Sequence, residues 1–292
     1  MSNRIVKRYE TLSEFIRDAE RAPLNQVKAS RGTDDPDWTG TKTFADAVKM
    51  AREGWPDGRE NLMDAMASAQ ARPNMTPAFT MEVAGAYPIA AIAAAGDPCS
   101  MVDLSPVEDR VRPIVRLVIC RNGSAAYKAA EFMHYGAAVL SYVEGLENAG
   151  FRCEVELAFS GAYQTGLKHY IGVIIKRAED ALELDRMAFC LTHVAMFRRL
   201  GFAVKESDPA IWEHLGSGYG HARNPDPGID TEQGQIIIPA INVCQPGADA
   251  LKSPHAALEK FGPMIEEQLR SAGMAPPPLA FGDADKHLKA AA

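Results

Sequence analysis

The stretch that decides the fold is Pro113–Ser160, PIVRLVICRNGSAAYKAAEFMHYGAAVLSYVEGLENAGFRCEVELAFS. Its first part, Ile114 to Cys120, is a nearly continuous apolar, β-branched run, the pattern of a central strand covered on both faces. A polar turn, Arg121-Asn122-Gly123-Ser124, follows. From Tyr127 to Asn148 the apolar residues Phe132, Met133, Val139, Leu140, Val143 and Leu146 recur at helical spacing, and Gly150 is placed to stop the helix. Phe151 to Phe159 resumes a strand pattern. This is a β-turn-α-β unit, and it predicts an α/β protein built as a three-layer sheet.

Toward the C-terminus, Tyr170 to Lys176 (YIGVIIK) reads as a third strand, close enough to the second to pair with it as a hairpin. Leu184 to Leu200 reads as one helix stopped by Gly201, with a short strand at Phe202 to Lys205. Trp212 to Asp230, rich in Gly, His, Pro and Asn, reads as a long loop. Gln235 to Val243 is a further strand whose Pro239 points to an edge or a bulge, and Pro254 to Ala272 is a final helix. Toward the N-terminus, Thr11 to Arg21 is a short amphipathic helix with a capping box formed by Thr11 and Glu14. Two more helices are expected near Thr43 to Arg52 and Glu60 to Ala71. Trp38 and Trp55 bracket the first of them, either pinning it to the core or forming a binding surface. Phe79 to Val83 alternates as a strand does, and Tyr87 to Ala95 reads as a short helix. The expected organisation is an N-terminal helical or mixed region over residues 1–110, an α/β domain over 111–274 and a mobile tail over 275–292.

The chain has 292 residues, 47% hydrophobic and 24% charged, which suits a globular protein with a full core. Its net charge of −7 supplies no overall field for a polyanion, so nonspecific nucleic-acid binding is disfavoured. No apolar run reaches the length of a membrane span, and MSNRIVKRYE lacks the apolar segment of a secretory signal. A cytoplasmic protein with no membrane partner is expected. Cys99, Cys120, Cys153, Cys190 and Cys244 are scattered without metal-ligand spacing, so they read as reduced structural thiols. There is no GxSxG, Walker loop or GxGxxG. No catalytic residue, cofactor or metal is therefore assigned.

Two places could contact a ligand. The turn Arg121, Asn122, Gly123 and Ser124 lies where open α/β sheets bind ligands, and a Gly-Ser turn before a helix can offer amides to an anion; it is equally a plain connection with a capping serine. The loop His214 to His221, containing Tyr219, could supply a histidine base, with Asp226 and Asp230 as nearby carboxylates. Three glycines between the two histidines leave their geometry unfixed, so a surface loop is the alternative. The basic pairs Lys168-His169, Lys176-Arg177 and Arg198-Arg199 suit helix-end or solvated roles, or a local nucleic-acid patch.

The strand, turn and helix of the opening stretch, Leu146 to Glu156, Trp38-Thr39-Gly40-Thr41, Gly54-Trp55-Pro56, Val83-Ala84-Gly85, Gly96-Asp97-Pro98 and Phe197 to Phe202 are together similar to an uncharacterised family of phage and mobile-element proteins that carries a domain of unknown function. The core also resembles a von Willebrand A-type domain, whose metal-binding turn has the pattern Asp-x-Ser-x-Ser. Here Cys120 stands in place of the aspartate and Asn122 in place of the first serine. That departure removes the carboxylate a hard cation needs. The resemblance implies a phage- or prophage-encoded, non-enzymatic adaptor in the host cytoplasm with a protein partner, an AAA+ ATPase being one candidate. The alternatives are a hydrolase or nucleic-acid-processing enzyme using His214 and His221, and a virion structural component.

Overall fold

In the computed structural model, which describes residues 3–22, 29–32, 35–68, 71–73, 80–84, 87–103, 113–216, 218–274 and 279–281, the central strand forms over Ile114–Cys120. The elements before it are β1 (Arg4–Tyr9), α1 (Leu12–Glu20), α2 (Pro36–Thr39), α3 (Phe44–Glu53), α4 (Pro56–Ser68), β2 (Ala71–Pro73), β3 (Thr80–Glu82), β4 (Tyr87–Pro88), α5 (Ala90–Ala94) and β5 (Met101–Asp103). The central strand is β6, followed by α6 (Ala129–Asn148), β7 (Arg152–Ala162), β8 (Lys168–Lys176) and α7 (Leu184–Thr192). A π-helical turn (Met196–Gly201) then leads into α8 (Phe202–Ser207), α9 (Pro209–Trp212), β9 (His221–Ala222), β10 (Ile236–Ile238), α10 (Pro254–Ser271) and β11 (Leu279–Phe281).

The chain divides into two units, Met1–Pro73 with Ile114–Ala292, and Asn74–Pro113. The boundary expected at residue 110 is corrected at the front of the chain: β1 and α1 belong to the same unit as β6. The small unit is a three-stranded antiparallel sheet in the order β3-β5-β4 with α5 after β4. The helix expected over Tyr87 to Ala95 forms at Ala90–Ala94, and Tyr87–Pro88 before it is strand.

The large unit is organised on a mixed sheet in the order β1-β8-β7-β6-β10, with β9 pairing β7. The opening stretch folds as expected: β6 and β7 are parallel, joined by α6, and β7 and β8 form the antiparallel hairpin. β10 extends the sheet beside β6 as an edge strand. β1 closes the other edge, parallel to β8 with Val6 beside Tyr170.

Side-chain parity separates the two faces. Val115, Leu117 and Ile119 of β6, Leu157 and Phe159 of β7, and Ile171 and Val173 of β8 join one large core with α1, α3, α6, α7, α8 and α10. The opposite face holds a small cluster of Val118, Cys120, Ala158, Tyr170, Ile237 and Ala240, to which no helix contributes. The sheet is mixed and flanked by helices. Beside the small cluster this face is polar: buried Glu156 accepts a hydrogen bond from the Tyr170 hydroxyl at 2.6 Å, and Arg8 stacks over Tyr170 at 5.5 Å.

Three close approaches shape the helical layer. At Gly136 of α6 an added Cβ would stand 2.0 Å from the Leu191 carbonyl of α7, so the two helices meet backbone to backbone. α7 ends where His193 turns extended, so Leu184 to Leu200 is two segments rather than one helix. Gly201 does not stop the chain: it is helical, with φ −61° and ψ −38°, and a Cβ there would meet the Phe159 ring at 3.2 Å. The expected strand at Phe202 to Lys205 is therefore helix α8. The glycine serves close packing on the sheet rather than termination.

The five cysteines are free, and four of them are buried. No single described helix is long and apolar enough to cross a membrane. Within the expected mobile tail, Leu279–Phe281 is strand paired with β2; residues 275–278 and 282–292 lie outside the described residues.

Candidate functional site

Phe197 and Arg198 on the π-helical turn, and Phe202 and Lys205 on α8, form one wall of a cavity of about 530 Å³ at the C-terminal ends of β6 and β7. The floor is made by Asn122 to Ala125 after β6 and by Ser160 and Gly161 at the end of β7; the other wall is Gly218 to Ala222. Trp38 and Asn242 complete it. π-helical turns are rare and frequent at functional sites, because the extra residue re-aims the side chains around it.

The cavity thus brings together the two stretches that the sequence kept apart. Asn122, Gly123 and Ser124 line it, and so do Tyr219 and His221. Asn122 fixes the floor: its Oδ1 accepts from the Ser160 amide at 3.0 Å and its Nδ2 donates to the Arg223 carbonyl at 3.1 Å. Ser124 accepts from the Ala126 amide at 3.3 Å, closing a local turn. It does not cap α6, which begins five residues on, where the Glu131 carboxylate accepts from the Lys128 amide at 2.7 Å.

Arg121 is corrected from a surface contact to a core residue. Its amide bonds to the Ala158 carbonyl at 2.8 Å, which continues the strand, so parity sends this odd-numbered side chain to the helical face with Ile119. There the guanidinium lies 4.5 Å from the Phe132 ring and donates to the His193 carbonyl at 3.2 Å. Burial pushes its pKa down to about 10.

His214 stands apart from this cavity. Its Nδ1 is 2.8 Å from the Thr165 hydroxyl, and it lines a neighbouring cleft of about 320 Å³ with His221, Glu213 and Tyr163. Asp226 and Asp230 are not available to either histidine. Arg4 bonds both, at 2.6 Å to Asp230; Arg223 reaches Asp230 at 2.5 Å, and Lys168 reaches Asp226 at 3.4 Å. The Arg4 hydrogen bond is the largest influence lowering the Asp226 pKa. These carboxylates clasp the long loop to β1 and β8.

Tyr219 is held rigidly: its ring stacks on Phe202 at 3.7 Å, its hydroxyl donates to Glu206, and it accepts from the Ala29 amide at 2.8 Å. Glu206 itself is fully buried and turned to Ser30. Trp38 packs under Arg198, with 4.6 Å from guanidinium to ring. Trp55 meets His193 edge-on at 4.4 Å. Both tryptophans therefore pin their helices, and Trp38 also faces the cavity.

Sequence reasoning named Arg198 and Arg199 but not their burial, and it missed Lys205. Arg198 donates to the carbonyls of Trp38 and Tyr127 at 2.8 Å each. Arg199 reaches Ser30 at 3.0 Å, Thr39 at 2.9 Å and Thr41 at 2.7 Å. This pair is buried, so it is not a nucleic-acid patch. Lys205, 3% exposed, lies 5.6 Å from the Phe197 and Phe202 rings and has no carboxylate or carbonyl partner among the described residues. Burial alone brings its pKa down to about 7. Arg198, Phe202 and Lys205 recur at i, i+4 and i+7, a signal legible only if the helix runs through Gly201.

The sequence model of a family described as a domain of unknown function, DUF7192, matches residues 2–274. The chain belongs to the DUF7192 family. That span takes in β1, the cavity and α10, so the whole site lies inside the family domain. No curated protein and no solved structure matches this DUF7192 chain. Among its described residues no group of three or more His, Cys, Asp or Glu side chains is arranged to hold a metal ion.

Proposed function

We propose that this DUF7192 chain is a non-enzymatic adaptor, encoded by a phage or prophage, that docks a protein partner, with an AAA+ ATPase as one candidate, at the C-terminal edge of a von Willebrand A-like sheet. The observation that carries it is the turn after β6. Ser124, Ala125 and Ala126 are exposed there, while Cys120, at the position of the metal-ligand aspartate, is buried with its thiol pKa raised by desolvation. The surface offers a contact without the acidic ligand of a metal site. The order β8-β7-β6-β10, with β8 antiparallel, supports the same topology.

A photo-crosslinking amino acid at position 125 tests it in cells of the natural host. The expected result is one protein enriched at position 125 over the same probe at exposed position 267. Equal recovery at both positions overturns the docking surface. Mass spectrometry of purified particles separates the adaptor from a virion component.

The shared cleft of His214 and His221 favours a second reading, a hydrolase or nucleic-acid-processing enzyme. It predicts that His214→Ala and His221→Ala each abolish the biological phenotype; wild-type behaviour of both variants ends it.

A further inference from the structure

The cavity between Lys205 and the β6–α6 turn has a charge balance opposite to that of the chain. The protein carries a net charge of −7, yet among the described residues the cavity is lined by two cationic side chains, Arg198 and Lys205, and by no Asp or Glu. The carboxylate next in sequence, Glu206, is turned away to Ser30 and Tyr219. Arg198 spends its terminal nitrogens on backbone carbonyls. Lys205 lines the cavity with no carboxylate or carbonyl partner among the described residues, although it is nearly fully buried.

A buried unpaired ammonium is costly, and an anion brought to it removes that cost. The turn adds donors of its own, since the amides of Gly123, Ser124 and Ala125 have no acceptor among the described residues. Flat aromatic rings also line it: Trp38, Phe197, and the stacked pair Phe202 and Tyr219. A volume of about 530 Å³ is in the range of sites for small organic ligands.

The geometry points to a binding site for a small aromatic anion, its carboxylate or phosphate on Lys205 Nζ and its ring against Trp38 and Tyr219. The site does not rest on the docking of a protein partner and survives if that reading fails. The anionic end sets the affinity; the aromatic walls set the shape.

The test uses the purified full chain and four probes by calorimetry and saturation-transfer NMR: benzoate, phenyl phosphate, neutral benzamide and cationic benzylamine. At least one of the two anions binds in the micromolar to low millimolar range, at least tenfold tighter than benzamide, and benzylamine does not bind. Lys205→Met loses at least tenfold for the anion while keeping its circular dichroism and melting cooperativity. Ala125→Trp, which narrows the mouth and leaves the lysine in place, weakens the same probe. The site is overturned if neither anion binds the wild type at millimolar concentration, if benzamide binds equally well, or if folded Lys205→Met binds as the wild type does. Anion binding unchanged by Ala125→Trp also overturns it, because the anion is then elsewhere.

Discussion

Arg198 and Arg199 on one side and Lys205 on the other are buried cations within two turns of the same helical segment, and they are treated in opposite ways. The two guanidiniums are surrounded by carbonyl oxygens of residues 30 to 42 and 124 to 127, which take up their terminal nitrogens and leave Arg198 Nε without a partner among the described residues. The ammonium has aromatic neighbours and a cavity. The difference teaches which cations are struts and which is a reserve of unmet charge. A planar guanidinium can bridge several loops at once, whereas a lysine at the same depth holds nothing in place.

The largest expected effect is on the struts. Arg199→Met leaves the carbonyls of Ser30 and Gly32 without the donor they have here, and a loss on the order of 3 kcal/mol or more is expected in urea unfolding, with Arg198→Met close behind. A loss below about 1 kcal/mol would mean that water replaces the guanidinium. Lys205→Met should act in the other direction. Removing an unpaired buried charge is expected to stabilise the ligand-free protein by about 1–4 kcal/mol at pH 6; destabilisation would show that the ammonium has a partner.

A pH series sharpens the same contrast. The folded-state pKa of Lys205, about 7, lies below the unfolded value of about 10.4. Between the two the unfolded chain holds the extra proton, so stability rises with pH across that window and is lost again as pH falls through it. The advantage of Lys205→Met over the wild type should shrink by up to about 1.4 kcal/mol per pH unit from 7 to 10. Buried His169, its pKa pushed well below 6.5 by desolvation, is neutral throughout and does not imitate this slope. An advantage constant from pH 6 to 10 would contradict it. The smallest effect is expected at His221, which is exposed on the cavity rim: His221→Ala should change stability by less than about 0.5 kcal/mol.

The elements with one dominant period were legible in the sequence. β6, α6, the β7–β8 hairpin and α10 follow from strand or helix spacing, with Gly150 after α6 at φ +92° as a helix stop. β1 was not legible, because its outward residues are Arg4 and Arg8, whose partners Asp226, Asp230 and Glu156 lie far along the chain. α8 was misread because a glycine used for packing on Phe159 looks the same in sequence as one used to end a helix. At the site, Asn122 to Ser124, Tyr219 and His221 were found by their turn chemistry, but Lys205 carries no local signal. Its meaning comes from what surrounds it, and that is set by residues 38, 122–125, 160 and 218–222.

The most direct measurement is an NMR titration of the chain with ¹³Cε-labelled lysine, with Lys205 assigned by its loss in Lys205→Met. One lysine resonance titrating near pH 7, and moving toward higher pH when an aromatic anion is bound, is the predicted result. A Lys205 that titrates near 10 in the free protein would contradict the claim that this ammonium is buried without a partner.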